Sequence, residues 1–267
     1  MRWRQGRQST NVRDMRGRRM ATGGAGLGGG ALVIMLIVWL LGGNPLQFLQ
    51  TVGGGGEPAA VPSTDAPPPT DEAGQFMSAI LAMTEDVWTE LFASSGDRYP
   101  PPTMVLFSGA VQSACGFSSS ATGPFYCPSD QSLYLDTSFF DGLARMGGPG
   151  DFAQAYVVGH EVGHHVQNVV GALERAHELQ RSAGSEAEAN RLQVLIELQA
   201  DCYAGVWAHH ANRKQQVLEP GDIQEGLAAA AAIGDDRLAR EAGRAVVPES
   251  FTHGTSEQRQ QWLGTGL

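Results

Sequence analysis

Lysine is almost missing from this chain. Of 18 basic residues in 267, only Lys214 is a lysine, and 35 glycines accompany the arginines. That bias points to a GC-rich coding sequence and nothing more. Cysteine is scarce at 3 residues, which excludes a small disulfide-stapled scaffold. Positive charge is also sparse in the main body. The net charge is -10, yet residues 1–20 hold seven arginines against the single acid Asp14. The chain after residue 20 therefore carries -16. So acidic a body lacks the basic face of a nucleic-acid-binding domain, and no nucleic-acid partner is expected. Internal repeats are absent. What is present is 42% hydrophobic residues, enough for a sizeable core and incompatible with global disorder.

From Met20 to Gly56 no residue is charged, and Ala31–Leu41 is unbroken apolar sequence. Eleven helical residues rise only about 16 Å, short of a hydrocarbon core of roughly 30 Å. Extension through the preceding glycines gives about 22 residues and 33 Å, which spans. Residues 21–42 are therefore expected to form a transmembrane anchor. Residues 40–44 offer no A-x-A pattern for signal cleavage. Arg18-Arg19 is a poor twin-arginine signal in its context. The arginines before the span predict a cytoplasmic segment 1–20 and an extracytoplasmic remainder, single-pass in the cell membrane. Gly24/Gly28 and Gly26/Gly30 are small-xxx-small pairs that could join two such helices as a homodimer.

Residues 43–72, rich in Gly and Pro, read as a linker. The folded domain is expected over 73–267. Helical periodicity marks Gln75–Ala93, a stretch from Asp151 (read as N-cap) to about Val170, Glu186–Ala211 and Asp222–Ile233. Thr255 and Gln258 form a capping-box pattern for a last short helix through Leu263. Thr103–Phe107 and Ser132–Leu135 read as short strands. Mostly helix with a small sheet is an α+β pattern. Cys115 and Cys127 enclose a turn-rich segment, and outside the cytoplasm a disulfide between them is the natural reading. Cys202 reads as a small core residue.

The chemistry concentrates in Gly159-His160-Glu161-Val162-Gly163-His164-His165. H-E-x-x-H on a helix sets His160 and His164 about 40° apart and one turn along, so both imidazoles can reach one metal ion. Glu161 lies about 100° round from His160, beside such an ion, where a base for a bound water is needed. The motif alone is moderately specific, so a third ligand must be found. A third His six residues after His164 is excluded, because Val170 stands there. Glu197-Leu198-Gln199-Ala200-Asp201 supplies a carboxylate instead, on an otherwise apolar helix where acids want partners. Glu197 can ligate zinc, and Asp201 can accept from the free ring nitrogen of His160. His165 points a further 100° away and reads as a packed or surface histidine. His253, in a loop before the last helix, is a candidate oxyanion donor, with Tyr134 the alternative. Asp235-Asp236-Arg237 reads as a structural turn.

GHEVGHHVQ followed by ELQADCYAG resembles the zincin metallopeptidases with a glutamate ligand. More narrowly the chain resembles the bacterial neutral zinc metallopeptidase family of single-pass membrane proteins. MRWRQGRQSTNVRD, GPFYCPSDQSLYLD, AAAAIGDDRL and SFTHGTSEQR carry the rest of that likeness. It implies a zincin-like domain behind a transmembrane helix and hydrolysis of peptide or protein substrates. It also implies one Zn2+ per chain on His160, His164 and Glu197, with Glu161 catalytic. The competing reading is a non-catalytic zincin-fold scaffold at the membrane surface. A structural site would need four closed protein ligands, and only three are evident.

Overall fold

Two strands with apolar side chains on both faces organise the molecule. β2 (Thr103–Phe107) and β6 (Ser132–Asp136) are buried along nearly their whole length, as central strands must be. They pair in parallel, with Met104 opposite Leu133. The computed structural model describes residues 1–17 and 67–267. Within it the sheet order is β1-β2-β6-β5. β1 (Val12–Asp14) is parallel to β2, and β5 (Phe125–Cys127) is antiparallel to β6 at the opposite edge. β3 (Ala110–Ser113) and β4 (Gly116–Ser119) form a separate hairpin. A disulfide joins Cys115 in its turn to Cys127 on β5.

Among the described residues eight α-helices follow the strands or intervene. α1 is Glu72–Ser94, and its cap Asp71 accepts from the Gly74 amide. α2 is Phe139–Arg145, α3 Asp151–Val169, α4 Ala172–Arg181 and α5 Glu186–Gln215. α6 is Asp222–Ala232, α7 Asp235–Glu241 and α8 Ser256–Gly266. The protein is thus mostly helical α+β with a small sheet. α8 begins with the capping box of Thr255 and Gln258. Asp151 is the first residue of α3 rather than its cap, which is Gly150.

α3 sits at the centre. It packs on β5, β6, α1, α5 and α6, and residues such as Phe152, Tyr156 and Val162 are fully buried. Its crossing with α5 is close because two positions lack a side chain. A Cβ on Gly159 would lie 2.8 Å from the Trp207 ring, and one on Gly163 would lie 2.9 Å from the Ala200 carbonyl oxygen. That contact sets the H-E-x-x-H face of α3 directly against Glu197 and Asp201.

Residues 1–16, set apart by their charge as a cytoplasmic segment, pack in the same compact unit as the residues from 67 onward. Met1 and Trp3 enter the main core, and β1 completes the sheet. The expected anchor 21–42 and most of the linker 43–72 fall outside the described residues. Among the described residues no helix is long and apolar enough to cross a membrane.

Candidate metal centre

His160 and His164 lie one turn apart on α3, and Glu197 faces them from α5. His160 Nε2 is 3.2 Å from His164 Nε2 and 3.2 Å from Glu197 Oε2. His164 Nε2 is 3.4 Å from the same oxygen. Ligands about 2.0–2.1 Å from a tetrahedral zinc lie roughly 3.3–3.4 Å from one another, so the spacing fits that ion.

The outer ring nitrogens decide what the inner ones offer. His160 Nδ1 donates to Asp201 Oδ1 at 2.7 Å. The Gln167 amide nitrogen donates to the Ile196 carbonyl and to Gln199, so its oxygen faces His164 Nδ1 at 2.9 Å and accepts from it. Both imidazoles are therefore protonated on Nδ1, and in their neutral form each turns the Nε2 lone pair inward. In that form two lone pairs and a carboxylate oxygen converge, an arrangement that calls for a cation. Burial alone would lower both histidines, but Asp201 and Glu197 raise the pKa of His160, and Glu197 raises that of His164. Gln193 donates to the other Glu197 oxygen at 2.9 Å.

Asp201 is the hub behind the ligands. It is fully buried and accepts from Tyr156 Oη at 2.6 Å and from Arg259 Nε and Nη2 at 2.9 Å each. Burial alone would raise its carboxyl; the charge of Arg259, then that of His160, outweighs it and holds the group far below its usual range. Tyr156 and Arg259 escape sequence reasoning. The one signal for Arg259 is chemical, since a carboxylate on an apolar helix demands a cation.

Glu161 is buried beside the triad, and among the described residues its carboxylate has no hydrogen-bond partner. Burial pushes its carboxyl above the ordinary value, against the pull of His160 and His164. All four residues line a cleft of about 550 Å³ with Phe125 and Tyr126 of β5, Ile196, and His253. His253 is half exposed there. Asp235 holds its loop by accepting from the amides of Thr252, His253 and Gly254, and lies 3.2 Å from His253 Nδ1.

The other candidates stand elsewhere. Tyr134 is buried in a small cluster with Val105 and Phe107, its hydroxyl bonded to Asp130, and does not line the cleft. His165 is buried, its Nε2 donating to the Pro100 carbonyl and its Nδ1 accepting from Tyr126. Burial brings its pKa down to about 4. It therefore stays neutral and steadies the cleft wall through Tyr126. A second acidic group, Asp151, Asp222 and Glu225, already holds a cation: the Met1 amino group, 2.6 Å from Asp151.

The comparisons agree with this chemistry. The uncharacterized protein YpfJ of Escherichia coli K12 is 45% identical over 281 residues, covering 100% of this chain and 95% of that protein. The uncharacterized protein Rv2575 of Mycobacterium tuberculosis H37Rv is 45% identical over 211 residues, covering 73% of this chain and 68% of its own. No solved structure matches. The family model described as "Putative neutral zinc metallopeptidase" matches residues 1–267, and the chain belongs to that family.

Proposed function

We propose that this protein is a zinc-dependent peptidase with a zincin-like catalytic domain, held at the outer face of the cell membrane by its apolar segment. One observation carries the reading: three lone-pair donors at tetrahedral spacing beside an uncommitted, buried Glu161 in an open cleft. His160, His164 and Glu197 would hold the zinc, which when bound supplies a Lewis acid and lowers the pKa of a coordinated water. Glu161 takes the proton of the attacking water and passes it to the leaving amine. His253, fixed through Asp235, donates to the carbonyl oxygen as negative charge builds there. An extended peptide fits along β5, the sheet edge whose Phe125 and Tyr126 line the cleft. The disulfide suits an oxidising compartment.

A scaffold with a structural zinc is the second reading, and Glu161→Gln separates the two. The variant keeps the shape and the three ligands, so full zinc content by mass-spectrometric metal analysis is expected. Peptide hydrolysis should fall at least ~10²-fold, the lower range for removal of a positioned proton-transfer group. His160→Ala, His164→Ala and Glu197→Ala should each lose most of the zinc. Full zinc with an unchanged cleavage rate in Glu161→Gln would overturn the base assignment. A zinc-loaded wild type inert against a broad peptide library would favour the scaffold.

A further inference from the structure

We infer that residues 1–16 and the domain lie on the same side of the membrane, an inference that rests on the membrane attachment proposed above. The packing of the described residues carries this. β1 is hydrogen-bonded in register to β2, with Val12 opposite Met104 and buried. Trp3 packs edge-on against Phe76 of α1 at 5.3 Å. Ser9 and Asn11 both donate to Glu85, a buried acid of α1, and Arg7 reaches Glu85 at 2.7 Å. These contacts make the segment a structural part of the sheet and of the α1 packing.

The points of departure and return are adjacent as well. The Arg16 guanidinium binds Asp14, at the end of β1, and Asp71, the cap of α1. A single span would set those two acids on opposite faces of a hydrocarbon core roughly 30 Å thick. One arginine side chain cannot bridge that distance, and β1 cannot pair with β2 across it.

The charge pattern that suggested a single crossing has another use. Arg2 pairs with Glu219, Arg4 with Glu72, Arg7 with Glu85 and Asp86, and Arg16 with Asp14 and Asp71. Four of the seven arginines thus match acids of the domain, a use of their charge other than orientation.

The test uses the full chain in its own membrane, with Cys202→Ala removing the free thiol. Gln5→Cys or Gln8→Cys reports on the first segment and Glu178→Cys on the domain, all at exposed positions. A membrane-impermeant maleimide is applied to intact spheroplasts and, separately, after permeabilisation. The expected result is the same ratio of intact to permeabilised labelling at all three sites, whichever side that is. Labelling of Glu178→Cys in intact spheroplasts, with Gln5→Cys and Gln8→Cys labelled only after permeabilisation, would overturn the inference. So would the reverse pattern. Two reporters in the first segment prevent one hindered thiol from deciding the outcome.

Discussion

Both oxygens of Asp201 are engaged, and Arg259, which grips both of them, is the most consequential side chain that offers no candidate ligand atom itself. Removing it leaves a buried charge with an incomplete partner set, a change that costs about 3–5 kcal/mol in comparable pairs. Arg259→Met should therefore destabilise strongly in chemical unfolding and weaken zinc binding about 10–100-fold in a chelator competition, since Asp201 orients His160. Arg259→Lys keeps the charge but not the two-point grip, and should fall between. Equal stability in all three proteins would show that the pair carries no such load. At this scale the site was largely readable: the spacing of His160, Glu161 and His164, and of Glu197 and Asp201, already places each group on a helix face. Arg259 and Tyr156 were not readable, because a helical period says which face is buried but not which residue 58 or 45 positions away meets it.

Between elements, the crossing of α3 and α5 decides whether the triad closes. Gly163 sits among the ligands, and a Cβ there would meet backbone, 2.9 Å from the Ala200 oxygen and 3.1 Å from its Cα. Backbone of a packed helix cannot swing aside as a side-chain tip can. Gly163→Ala gains about 1 kcal/mol of helix propensity, yet overpacking of this kind costs typically 1–3 kcal/mol. The net expectation is a lower unfolding midpoint and, because Ala200 adjoins Asp201 and follows Glu197 by less than a turn, weaker zinc binding. Isothermal zinc titration of Gly163→Ala against wild type checks this; unchanged affinity would mean the helices have room to spare. The long helices were legible from their apolar period, as were β2 and β6. β1, β5, the β3–β4 hairpin and the short helices α2, α4 and α7 were not. Strands of three or four residues carry too little pattern, and the partner of β1 lies far along the chain.

The whole molecule departs most from its sequence at the amino terminus. A basic segment, an uncharged apolar stretch and an acidic domain read naturally as three environments, whereas opposite charges also mark surfaces that bind each other. The three residues of β1 pair with residues about 90 positions later, a contact that no local pattern announces. In the structure residues 1–16 give the domain expected over 73–267 an edge strand, and Trp3 and Val12 cover apolar groups of it. Trp3 is 8% exposed, and large-to-small changes of buried aromatics cost typically 3–5 kcal/mol. Trp3→Ala in the full chain should therefore lower stability by about that order. Trp262→Ala, at a site 39% exposed, serves as the control and should cost far less. Denaturant unfolding followed by far-UV circular dichroism reads the domain helices, not the substituted segment. A Trp3→Ala midpoint equal to wild type would mean that the amino-terminal segment does not support the domain. A midpoint lowered well beyond that of Trp262→Ala would mean that the zinc-site helices depend on a strand encoded on the far side of the apolar stretch.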